Sequence, residues 1–199
     1  MNHFYKEIQG YFNYENIYNQ FLKTCPENAK AVEIGVWKGK SVCYAAVESI
    51  KQNKNITLYA VDTFEGSPNE PRIQKDLEKL KEKETTLREE FLKNIEPVNH
   101  IVKMIHMDSI SASKQFEDKS LDFVFIDGSH LYEAVLADIQ AWLPKVKIGG
   151  VIGGHDIDGP EEFNGVRQAV EEVFDKDFDV VNPGWASWLH KVGYTKSNS

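Results

Sequence analysis

Short apolar runs that alternate with amphipathic segments restrict this chain to very few architectures. "KAVEIGV" (30–36), "ITLYAVD" (56–62), "HIVKMIHMD" (100–108), "LDFVFIDG" (121–128) and "GGVIGGHD" (149–156) read as strands. Helical spacing of apolar residues covers roughly 40–52, 72–95, 110–117, 131–143 and 160–175. Strand and helix in strict alternation imply right-handed crossovers. The expected fold is therefore α/β, a Rossmann-like doubly wound and mostly parallel sheet with helices on both faces. Four of the runs end at or next to an aspartate, and the first carries Glu33. In such sheets ligands bind beyond the carboxyl ends of the strands, so these acidic residues face the expected site.

The 199 residues suffice for one domain, 1–199, with a core of its own. Residues 1–29 are expected to form an N-terminal helical extension, with a helix over 3–23. Its aromatic residues Phe4, Tyr5, Tyr11, Phe12, Tyr14 and Tyr18 are expected to pack against the sheet or a neighbouring subunit. Residues 66–96 read as a helical insertion or lid. Ile73, Leu77, Leu80, Leu87, Phe91 and Ile95 form one apolar stripe there and predict a single long helix over 72–95. The tail "DFDVVNPGWASWLHKVG" predicts two last strands joined at Asn182-Pro183-Gly184, with an antiparallel edge. Trp185 and Trp188 are expected in core or edge packing, and Asp138 and Trp142 on a helix face against the sheet.

A net charge of −8 argues against nucleic-acid or anionic-membrane partners, which need a basic surface. No apolar run approaches the ~20 residues of a membrane span. The opening "MNHFYKEIQGYF" lacks the apolar region of a secretory signal. Cys25 and Cys43 have neither metal-ligand nor redox spacing and read as reduced, buried thiols. These features together predict a cytoplasmic location.

The loop "VEIGVWKGKSV" decides what kind of ligand is expected. It ends in Gly-Lys-Ser, as a P-loop does. A P-loop, however, needs four residues between its glycines so that successive N–H groups can wrap a phosphate. Gly35 and Gly39 are separated by three, and Ile34 stands where the first glycine belongs. The dinucleotide pattern fails as well, because Trp37 replaces its second glycine. What remains is E-x-G-x-x-x-G-x-S. Gly35 allows a sharp turn at the strand end, and Gly39 a close approach at the next helix. Ser41 and the free N–H groups of that helix can hold a carboxylate. Glu33 can accept from an ammonium group or organise the loop. Asp62, followed by Thr63, can take both hydroxyls of a ribose. Asp108 and Ser109, one strand further on, can read an adenine amino group. An amino-acid tail, a ribose and an adenine together describe S-adenosylmethionine.

The segments "VEIGVWKGKSV", "AVDTFEGS", "MDS", "DFVFIDGSHLYEAVLADIQAWLPKVKIGGVIGGHD" and "GVRQAVEEVF" resemble class I S-adenosylmethionine-dependent methyltransferases. The resemblance is nearest to the branch with macrocin-type sugar O-methyltransferases and cephalosporin-hydroxylase-like proteins, and covers roughly residues 30–192. It implies a seven-stranded sheet whose last strand is antiparallel. It also implies O-methylation of a small hydroxylated acceptor such as a sugar or natural product. Carboxylates at the ends of the fourth and fifth strands commonly hold a divalent cation in this branch. The matching positions are Asp127, which also borders the cofactor, with His155 and Asp156. His155 stands where such relatives carry a second acid, so Mg²⁺ could be held by Asp127, Asp156 and waters, or the preference could move toward Mn²⁺. A competing reading keeps all three as polar strand ends lining the pocket. His130 matches the general base of the sugar methyltransferases, against a simpler role in capping its helix. Tyr132 is a candidate for the acceptor pocket. Homo-oligomers through the N-terminal or inserted helix fit the same reading. The alternatives are a P-loop-like nucleotide hydrolase and a non-catalytic S-adenosylmethionine-binding protein.

Overall fold

The computed structural model describes residues 1–67, 70–159, 164–181 and 186–194. Seven strands form one sheet: β1 (Ala29–Ile34), β2 (Ile56–Asp62), β3 (Val102–His106), β4 (Leu121–Ile126), β5 (Val146–Gly154), β6 (Asp179–Val181) and β7 (Ser187–Lys191). Their order is β3-β2-β1-β4-β5-β7-β6. β1 to β5 pair in parallel, and β7 runs antiparallel to both β5 and β6. This is the doubly wound sheet that the alternation predicts, with the antiparallel last strand expected from the tail and implied by the resemblance. β1 lies between β2 and β4, where the strand order reverses, and a ligand crevice opens at that point.

Each helix shows why its residues chose that conformation. α1 (Glu15–Thr24) buries Ile17, Tyr18, Phe21 and Leu22, one stripe at helical spacing. α2 (Lys40–Lys51) starts at Gly39, which adopts φ +84°, and is buried nearly all round. α3 (Pro71–Glu82) starts with proline at its first position, where no N–H is needed. α4 (Leu87–Ile95), α5 (Ser109–Ser113), α6 (Tyr132–Trp142) and α7 (Asn164–Phe174) complete the layers.

Two expectations about helices are corrected. Residues 72–95 form two helices. Thr86 caps α4 through a capping box with Glu89, and Glu84 turns the chain with φ +54°. A cap satisfies the orphan N–H groups of a new helix, so the chain breaks there although the apolar stripe continues. The N-terminal helix expected over 3–23 is a short 3₁₀ turn at Tyr5–Glu7 followed by α1. The segment between them has no regular structure and brings Asn13 and Tyr14 to His155 and Asp127 at the carboxyl ends of β5 and β4.

Two apolar cores flank the sheet. One packs α1, α2 and α4 with the N-terminal aromatic residues; the other holds α6, α7, Trp142 and Trp188. Trp188 is fully buried. The turn at Asn182-Pro183-Gly184 and Trp185 lie outside the described residues. Among the described residues, no helix is long and apolar enough to cross a membrane.

Candidate active site

The carboxyl ends of β1, β2, β4 and β5 bring most of the expected residues together. Gly35 follows β1 with φ +82°, a conformation that favours glycine. Its N–H reaches Val61 O at 2.9 Å, and a side chain there would run into the carbonyl of Asp127. This glycine is needed for the approach of two strand ends. The loop then closes as a turn, with Gly39 N–H on Val36 O at 2.8 Å.

Asp62 organises that loop. One carboxylate oxygen accepts from Trp37 N–H at 2.9 Å and the other from Phe64 N–H at 2.7 Å. Burial raises its pKa, and these backbone donors oppose the rise. Thr63 follows, its carbonyl 2.9 Å from His106 Nε2.

Glu33 and Ser41 lie deeper. Glu33 is fully buried, with one oxygen bonded to the Ser41 hydroxyl and the other to the Tyr18 hydroxyl. Burial outweighs these two donors and pushes the carboxyl up to about 8. Ser41 spends its hydroxyl on Glu33, so in this arrangement the pair supports the loop from below. At the end of β3, Asp108 caps α5 through Ser111 N–H at 2.8 Å and is exposed. Ser109 accepts from the Trp142 indole at 2.8 Å. Burial pushes the neighbouring Asp138 up to about 6.

The densest cluster of charge sits past β4 and β5. Among the described residues, Asp127, His155 and Asp156 each bring one ligand atom within 4.8 Å of the other two. His155 Nδ1 lies 3.0 Å from Asp156 and 3.7 Å from Asp127. Asp156 adopts φ +61°, sparsely populated for a residue with a side chain, and is 6 % exposed. Its other oxygen is 2.9 Å from His130 Nε2, and His130 Nδ1 faces Glu70 at 3.4 Å. Burial alone would raise Asp156. The hydrogen bonds from His130 and His155 win and hold it well below the usual carboxylate range. Asp127 moves the other way, raised by burial and by the Asp156 charge. Burial works against a charged His130, but Asp156 and Glu70 overcome it and lift the imidazole to about 10. His155 is raised for the same kind of reason.

Several residues in this site were not expected there. Tyr14 and Tyr18 read as packing aromatics, yet Tyr14 donates to Asp127 Oδ2 at 2.7 Å and Tyr18 to Glu33. Asn13 accepts from His155 Nε2, and Glu70 flanks His130. No local motif marks them, because the contacts span from 15 to 142 positions of sequence. Tyr132, the acceptor-pocket candidate, bonds Glu172 of α7.

A seven-stranded sheet in this order, with a glycine turn after β1 and a carboxylate after β2, is the frame of a class I methyltransferase. The chain belongs to the methyltransferase domain family, whose model matches residues 32–157. Its domain is that of an S-adenosylmethionine-dependent methyltransferase, and the nucleotide-hydrolase alternative falls away. Solved structures repeat the fold. The O-methyltransferase NovP is 18 % identical with a TM-score of 0.67, covering 91 % of this chain and 80 % of its own. CalS11, a TDP-rhamnose 3'-O-methyltransferase of calicheamicin biosynthesis, is 17 % identical with a TM-score of 0.60, covering 91 % and 78 %. Cofactor-bound Rv0187 from MTB is 15 % identical with a TM-score of 0.60, covering 92 % and 80 %. The uncharacterized protein y4gI of Sinorhizobium fredii is 33 % identical over 71 residues, which are 36 % of this chain and 8 % of that protein.

Proposed function

We propose that this methyltransferase transfers its methyl group to a hydroxyl of a small acceptor such as a sugar or natural product, beside a divalent cation. The observation that carries this reading is the convergence of Asp127, His155 and Asp156 next to the glycine turn. NovP and CalS11, which share the fold, act as O-methyltransferases by their names, and CalS11 acts on a sugar nucleotide.

S-adenosylmethionine would supply the methyl group. Asp62 is placed to hold the ribose through the lone pairs left over from its two backbone donors. Glu33 and Ser41 fix the loop on which Gly35 and Gly39 turn. Thr63, Asp108 and Ser109 would border the same crevice from the ends of β2 and β3. The donor set past β4 and β5 fits a cation. Two carboxylates and an imidazole suit Mg²⁺ or Mn²⁺, with the nitrogen favouring the latter. His155 Nδ1 lies between the two carboxylates, 3.0 Å from Asp156 and 3.7 Å from Asp127. A bound ion would lower the pKa of an acceptor hydroxyl. His130 is the candidate to receive that proton. It can do so only from its neutral form, so Asp156 and Glu70 must release their hold on it first.

The test is kinetic and calorimetric together. His130→Gln should lower kcat by about 10²–10⁴-fold, the range for losing an acid–base group, and Asp156→Asn should lower kcat by weakening the hold on the cation. Both should bind S-adenosylmethionine within a few-fold of wild type. Wild-type turnover in either variant would remove that residue from the chemistry.

A further inference from the structure

The N-terminal segment carries two side chains into the cation cluster, and both lie outside the residues the family model matches. Tyr14 is 2 % exposed, its ring 4.7 Å from Phe125 and 5.0 Å from His155 between centroids. Its hydroxyl donates to Asp127 Oδ2 at 2.7 Å, which leaves Oδ1 as the oxygen that faces His155. Asn13 is exposed, and its Oδ1 lies 2.8 Å from His155 Nε2. An amide oxygen can only accept, so Nε2 carries a proton and Nδ1 is the atom presented to Asp127 and Asp156.

The segment itself is pinned on both sides. Gln9 donates to Asp76 of α3 at 2.7 Å and accepts from Lys38 of the glycine loop at 2.5 Å. Lys40 donates to Gly10 O at 3.0 Å. Residues 13 and 14 are thereby held against the strand ends.

We infer that Asn13 and Tyr14 are positioning residues for the cation site: Tyr14 selects which oxygen of Asp127 is offered, and Asn13 selects which nitrogen of His155 is offered. The inference rests on the cation reading above. Without Tyr14, the Asp127 carboxylate is free to rotate. Without Asn13, the imidazole can flip or change tautomer. Outer partners of metal ligands act in this way and are typically worth 10–100-fold in metal affinity.

The experiment is titration of the ligand-free full chain with Mn²⁺ alone, followed by calorimetry. Tyr14→Phe and Asn13→Leu should each bind Mn²⁺ about 10–100-fold more weakly than wild type. Asn13→Asp keeps an acceptor at the same place and should stay within about threefold of wild type, a rescue that a space-filling role would not produce. Thermal unfolding of each variant checks that it is folded, and Asn13 is exposed enough for both its variants to remain so. Mn²⁺ affinity unchanged in Tyr14→Phe and Asn13→Leu overturns this inference alone. Equal weakening in Asn13→Leu and Asn13→Asp overturns the Asn13 role. A wild-type chain that takes up no Mn²⁺ overturns the cation reading and this inference with it.

Discussion

Asp62 shows what a single residue carries in this fold. From the sequence it is a carboxylate at a strand end, placed for a ribose. The structure adds that it holds Trp37 and Phe64 by their N–H groups. Asp62→Asn is the informative change, because the amide keeps one acceptor and turns the other into a donor facing an N–H. S-adenosylmethionine affinity should fall by roughly 1.5–3 kcal/mol, the worth of one charge-assisted hydrogen bond. Unchanged affinity by calorimetry would move the ribose elsewhere. Glu33 offers a pH test on the ligand-free protein. Its carboxyl sits at about 8 when folded against an ordinary 4.5. Below pH 4.5 it is protonated in both states and costs nothing. Between 4.5 and about 8 the unfolded chain gives up a proton that the folded chain keeps, so stability is lost as pH rises. Glu33→Gln has no such loss. Urea unfolding should show the variant gaining on wild type from pH 5 to pH 8, and a difference independent of pH would contradict the burial argument. The acidic residues at strand ends were legible because a buried strand that ends in a charge is rare without a reason. Their partners were not. Nothing near Tyr14 or Asn13 in sequence records a contact with Asp127 or His155.

At the scale of elements, apolar periodicity located helices and missed where one ended. The apolar positions from Ile73 to Ile95 share one helical face across a polar gap at 81–86, and the T-x-x-E signal at Thr86–Glu89 starts a second helix after that gap. That signal is local hydrogen bonding, which periodicity cannot see. The break matters for the site, because α4 lays Phe91 and Ile95 against Gly39 at the start of α2. Thr86→Ala should cost about 1 kcal/mol of stability, the usual loss for an N-cap. Chemical denaturation reads it directly, and a loss near zero would mean that α4 is held by packing alone. The N-terminal region misled for a related reason. Its aromatic residues have a helix-like spacing, but Gly10 adopts φ +147° and the chain reaches the strand ends without regular structure before α1 begins.

For the whole molecule, the sheet was legible because alternation, right-handed crossovers and a terminal hairpin leave one economical topology. The observed order follows it, antiparallel β7 included. On the proposed reading, the switch point beside β1 would take the methyl donor over β1 and β2 and the acceptor over β4 and β5. The N-terminal segment and α3, which would shape the acceptor pocket on this reading, carry the least sequence pattern, and their contacts are long-range. The central claim is transfer to a hydroxyl beside a cation at Asp127, His155 and Asp156. The measurement that tests it most directly is methyl transfer from labelled S-adenosylmethionine to a panel of sugars and hydroxylated natural products, run in EDTA and again after adding back Mg²⁺ or Mn²⁺. Label should appear on an acceptor oxygen, vanish in chelator and return with the metal. Full transfer in EDTA, or label on nitrogen or carbon alone, would contradict it.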